Sequence, residues 1–127
     1  MVMKRVKPKL SSYQKKAKKG FRGYPAATVA LYGPTDKLAT KIAVGIFSGP
    51  DREPDVLERW FSRTGDVDIR RDQAISEQVA AFIRSHKVLS VAATDGVLGC
   101  PHEEGIDYPE GNPCPQCPFW AAQDRVQ

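Results

Sequence analysis

No stretch of about 18 apolar residues occurs in the 127-residue chain, so no segment of it is suited to cross a bilayer as a helix. Its first residues, MVMKRVKPKLSSYQKKAKKG, lack the apolar block of a secretory signal, which points to a cytoplasmic protein without membrane contact. No Ser/His/Asp grouping, glycine-rich phosphate loop or paired buried carboxylates stand out, so the common hydrolase and nucleotide-binding classes find no support. No internal repeat is present. Cysteine and histidine are scarce, at three and two residues, and in a reducing compartment so few thiols suit ligands better than disulfides.

Acidic residues are absent from positions 1–22, where Lys4, Arg5, Lys7, Lys9, Lys15, Lys16, Lys18, Lys19 and Arg22 stand. The net charge of +4 therefore divides into +9 for this stretch and −5 for the rest, where 10 basic residues face all 15 acids. A segment so polar has too little apolar surface to offset the entropy of ordering, and the expectation is a disordered basic arm over 1–22. Such an arm suits contact with RNA, through counterion release at its lysines and through stacking of unpaired bases on Phe21 and Tyr24. A solubilising tail is the plainer reading of the same residues.

The remainder, 23–127, reads as one α+β domain. Two β-rich runs flank the turn formers Gly33 to Lys37: Val29 and Leu31 mark one face of the first strand, and Ile42, Val44 and Ile46 mark one face of the second. Pro54 with early acids and late arginines predicts a helix over 54–63 burying Val56, Leu57, Trp60 and Phe61. A short strand follows in VDIR. Asp72 then caps a helix carrying Ile75, Val79, Phe82 and Ile83 on one stripe, with His86 in its last turn as a partner of the helix dipole. A buried strand from Val88 and a turn at Thr94-Asp95-Gly96 lead to the cysteines. The expected architecture is a small sheet, from the hairpin and the later strand, covered by two helices and followed by a zinc knuckle over 97–120.

All three cysteines and one histidine lie in CPHEEGIDYPEGNPCPQCPFW, Cys100 to Trp120. Cys100 with His102 and Cys114 with Cys117 make two short-spaced pairs across a loop rich in glycine and proline, the pattern of a tetrahedral structural Zn²⁺ site. The lone C-x-x-C is also compatible with a redox dithiol, which normally opens a helix after a strand. His102-Glu103-Glu104 with Pro113-Cys114-Pro115-Gln116-Cys117 spells the H-x-E and P-C-x-x-C signature of zinc-dependent deaminases. Against that reading, only 11 residues separate His102 from Cys114, too few for the helix and strand of a deaminase, and Cys100 offers a fourth ligand where catalysis needs an open position.

Glu103, Glu104, Asp107 and Glu110 give loop 103–113 a charge of −4 with no base within it, which disfavours phosphate and leaves a solvated rim or a surface for a basic protein partner. Phe119 and Trp120 are expected to pack the knuckle onto the body. The segments CPHEEGIDYPEG and CPQCPFW, with GYPAATVALYGP upstream, resemble a family of short uncharacterised bacterial proteins sharing this ending. That resemblance implies a cytoplasmic bacterial protein with four metal ligands and carries no activity. The function expected is that of a non-enzymatic zinc-binding accessory protein associated with RNA through its arm. A protein-binding adaptor using the acidic knuckle and a deaminase-like zinc enzyme are the alternatives.

Overall fold

The structure is a computed structural model, and it describes residues 12–112 and 114–120. Its centre is a four-stranded sheet. Strand β1 (Ala26–Tyr32) pairs antiparallel with β2 (Lys41–Phe47), which pairs antiparallel with β3 (Val56–Phe61). Strand β4 (Ser90–Gly99) lies parallel to β1 on its other side, giving the order β3-β2-β1-β4. Helix α1 (Ser12–Lys18) precedes the sheet, and a 3₁₀ turn (Ile69–Arg71) and helix α2 (Gln73–Ser85) carry the chain from β3 across to β4. The fold is α+β, with two helices flanking the sheet and a Cys/His cluster after its last strand.

Alternation along the strands builds the core. Ala27, Val29 and Leu31 of β1 and Ile42, Val44 and Ile46 of β2 are buried on one face. The α2 stripe of Ile75, Val79 and Ile83 closes over that face, each side chain stabilising the fold by about 1.5–3 kcal/mol on full burial. Asp72 caps α2 as expected, its carboxylate accepting the Ile75 N–H at 3.1 Å. The hairpin of β1 and β2 also forms as expected, over a connection of residues 33–40.

Three local expectations are corrected. Residues 56–61 form strand β3, not part of a helix over 54–63. Apolar residues at 56, 57, 60 and 61 suit a helical stripe, but they also suit a strand with two half-apolar faces. The unsatisfied backbone edge of β2 decides between them, because its N–H and C=O groups need partners. Trp60 then faces the core and meets Phe82 edge to face at 5.5 Å, while Leu57 and Phe61 stay exposed.

The expected strand in VDIR is the 3₁₀ turn, which drops Ile69 fully into the core. Asp68 caps it, accepting N–H groups from Arg70 at 3.0 Å and Ala39 at 3.2 Å. The turn expected at 94–96 lies inside β4: between the pairs Val29↔Ala93 and Leu31↔Val97, β4 advances four residues for two in β1, so the extra residues bulge within a continuing strand.

The second half of the expected disordered arm is ordered. Ala17 of α1 packs on the core, Lys16 Nζ donates to the Val88 carbonyl at 2.7 Å, and the Arg22 N–H donates to Ser90 Oγ at 2.6 Å. Lys16 therefore ties α1 to the segment that leads into β4, which sequence pattern alone does not show. Residues 1–11, with Lys4, Arg5, Lys7 and Lys9, lie outside the described residues.

Candidate metal centre

The end of β4 delivers Cys100 and His102, and the turn 114–117 returns Cys114 and Cys117 to the same point. One donor atom from each of the four residues lies within 4.8 Å of all the others. His102 Nδ1 faces the three sulfurs, at 3.2 Å from Cys100, 3.4 Å from Cys114 and 3.5 Å from Cys117, and the Cys100 and Cys117 sulfurs are 3.2 Å apart. For metal–sulfur bonds of about 2.3 Å and metal–nitrogen bonds of about 2.0 Å, a regular tetrahedron has S···N edges of about 3.5 Å and S···S edges of about 3.8 Å. The sulfur-to-nitrogen distances fit that figure, and the Cys100–Cys117 separation is tighter. Three soft sulfurs and one imidazole nitrogen, with Cys114 and Cys117 buried, form a donor set able to hold a metal ion.

Burial and mutual contact set how readily the three thiols ionise. Burial pushes the Cys100 thiol up, and its contact with Cys117 adds to the shift. Cys117 is likewise raised by burial and by the negative charge of Cys114. Cys114 is buried too, which opposes ionisation, but the backbone N–H of Gln116, the Cys100 and Cys117 thiols and the Cys117 N–H together outweigh this and hold it below the usual thiol range. Those amides turn toward sulfur because two residues separate the cysteines, so Cys114 is the thiolate most readily formed. A bound divalent cation would remove the conflict among the others.

Two residues that the sequence did not single out, Lys41 and Arg59, help anchor the cluster to the sheet. Lys41, only 3% exposed at the start of β2, donates from Nζ to the Pro101 carbonyl at 3.0 Å and to Glu103 Oε2 at 2.7 Å, between the rings of Tyr32 and Phe61. Arg59 of β3 grips the same carboxylate, Nε at 2.6 Å and Nη2 at 2.8 Å. Hydrogen bonding from Arg59 first, and from Lys41, holds the Glu103 carboxyl below its ordinary value against the opposing effect of burial. The residues on either side of His102 are thus fastened to two strands. On the other flank Trp120 Nε1 donates to the Gly33 carbonyl at 2.7 Å, and the Gly33 N–H donates to Gly99 at 2.9 Å. A Cβ at Gly33 would stand 1.6 Å from the Leu38 carbonyl oxygen, so only glycine fits there. Trp120 packs the knuckle onto the core as expected, with Phe119 edge to face against it at 5.0 Å.

The loop 103–113 is less free than its composition implies. Glu103 is compensated from outside the loop by Lys41 and Arg59, which are brought in by strand pairing and lie 62 and 44 residues away in sequence. Asp107 accepts the Glu103 N–H at 2.7 Å, and Glu104 accepts the Gly111 N–H at 2.6 Å. Two of the four acids therefore hold the loop's own shape, and a third ties it to the sheet. A cleft of about 500 Å³ beside His102 is lined by Arg59, Phe61, Glu103, Ile106 and Asp107, and its two acids are both engaged in these bonds.

Of the residues expected to meet nucleic acid, Lys15, Lys18, Lys19, Phe21, Arg22 and Tyr24 are exposed and Lys16 is half-buried. The Phe21 and Tyr24 rings meet edge to face at 5.2 Å. No helix among the described residues is long and apolar enough to cross a membrane. No family model, no curated protein and no solved structure matches the chain.

Proposed function

We propose that this is a non-enzymatic accessory protein of the cytoplasm in which one Zn²⁺, held by Cys100, His102, Cys114 and Cys117, locks the C-terminal segment against the sheet, while the basic N-terminal region associates with RNA. The observation that carries the metal reading is the convergence of four donors in a closed group. Zinc favours this sulfur-rich tetrahedral set, and four protein ligands leave no position for the water that a deaminase must activate. Glu104, the residue that the deaminase signature would use as proton shuttle, has its carboxylate on the Gly111 N–H. Pairing with Lys41 and Arg59 also neutralises Glu103, which reduces the charge that an adaptor built on the acidic loop would use.

The RNA reading is supported by exposed rings beside lysines in a stretch without acids. Elemental analysis of protein purified without chelator should give one zinc per chain, and Cys114→Ser should lose it. Metal-free wild-type protein with an intact C-terminal segment would rule the zinc role out. For RNA, fluorescence anisotropy of a labelled oligouridine strand across a salt series is the measurement. Deleting 1–22 would also remove the packing of α1, so the variant of choice replaces the exposed Lys15, Lys18 and Lys19 by Glu. Binding should be lost in it, and wild-type protein that fails to bind even at low salt would refute the RNA reading.

A further inference from the structure

The structure places a second acid-free segment against the arm. Residues 12–25 and 84–90 contain seven Lys and Arg between them and no Asp or Glu, although they are about 60 positions apart. They are joined by Lys16 Nζ on the Val88 carbonyl, by the Arg22 N–H on Ser90 Oγ, by Ser90 Oγ on the Gly23 carbonyl at 2.7 Å and by the Leu89 N–H on the Pro25 carbonyl at 2.7 Å. Helix α1 touches both β4 and α2, and Arg84 near the end of α2 and Lys87 just after it are exposed and lead directly into Val88 and Leu89.

An apolar strip runs along this seam. Phe21 is 69%, Leu89 50% and Tyr24 37% exposed, which is costly surface to leave in water. Gly23 brings the two segments close: at its φ of +110° a Cβ would lie 3.6 Å from Leu89 Cδ1. Exposed rings bordered by cations, with no acid in either segment, are complementary to one class of partner, a polyanion with flat apolar groups. A single RNA strand offers phosphates to the lysines and unpaired bases to the rings.

We infer that the RNA surface is composite: Arg84, Lys87 and Leu89 of the α2–β4 junction form its second wall, opposite Phe21 and Tyr24, and the strand runs along the seam between them. This rests on the RNA reading above and extends it to residues of the acidic body.

The test uses the full-length, metal-loaded protein and labelled oligouridine. Lys87→Asn removes the charge at a residue whose φ of +52° asparagine tolerates well, and Arg84→Gln does the same on an exposed helical position, so both should fold. Each should weaken binding several-fold and reduce the slope of log affinity against log salt by about 0.7. Leu89→Ala should weaken binding with the slope unchanged, since apolar contact releases no ions. If wild type binds and the α1 variant does not, while all three junction variants behave as wild type, the composite surface is overturned and the RNA reading stands. If wild type ignores oligouridine but binds phosphatidylserine vesicles through these same residues, both are overturned.

Discussion

Asp68 shows how one side chain can fasten two pieces of chain. Its carboxylate accepts the Ala39 N–H from the β1–β2 connection, the Arg70 N–H that starts the 3₁₀ turn, and the Arg70 guanidinium at 2.6 Å. The hydrogen bond from Arg70 is the largest cause that lowers its pKa from 3.8 to about 2, with burial opposing. A carboxylate lowered in the folded state contributes stability above its unfolded pKa and loses it as pH falls through the folded one. Acid titration of stability should therefore show a decline between pH 3.8 and about 2 that is smaller in Asp68→Asn. At neutral pH Asp68→Ala should lose about 1–2 kcal/mol in urea denaturation, the usual cost of removing a cap and leaving a partly buried N–H unpaired. An unchanged acid profile in Asp68→Asn would show that Asp68 does not govern this range.

At the scale of elements, β2 and β3 hold the knuckle through Lys41, Arg59 and Glu103. Removing one partner of a buried pair can cost about 3–5 kcal/mol when a charge is left alone, but Glu103 keeps Arg59 and is 30% exposed. Lys41→Met should therefore cost global stability only about 1 kcal/mol, because the thioether can fill the slot between Tyr32 and Phe61. Its larger effect falls on the metal, since the Pro101 carbonyl and Glu103 flank His102. Metal transfer to a chromogenic chelator should run about 10-fold faster in this variant, within the range seen when groups behind the ligands are lost. Equal transfer rates would show that the clamp does not act on the site.

For the whole molecule, the sheet and α2 bury a core that excludes the ligand cluster, except where Trp120 reaches it. Metal removal should accordingly loosen one region and not melt the fold. Hydrogen exchange should quicken across 100–120 in the chelated protein, while β1, β2 and α2 keep their protection. Global loss of protection would mean that the metal is required for the entire domain to fold. A retained exchange pattern throughout would mean that the Trp120 and Lys41 anchors suffice without it.

Patterns confined to a short window were legible in the sequence. The four ligands, the β1–β2 hairpin, the Asp72 cap and the α2 stripe each depend on residues close in the chain, with spacings set by local geometry. Tertiary structure decided what depends on partners far apart. The apolar pairs at 56–57 and 60–61 suit helix and strand alike, and the open edge of β2 made them a strand. Thr94 to Gly96 carry turn chemistry, yet pairing with β1 carried the strand through them. Ser12 to Lys18 contain too few apolar residues to order alone, and packing of Ala17 on the core and the bond of Lys16 to Val88 supply what local composition lacks. The bases that neutralise Glu103 stand on other strands, and Gly33 is required because the backbone of Leu38 and Ala39 folds back against it. In each case the free energy comes from surface and hydrogen-bonding groups that meet only after the chain has folded.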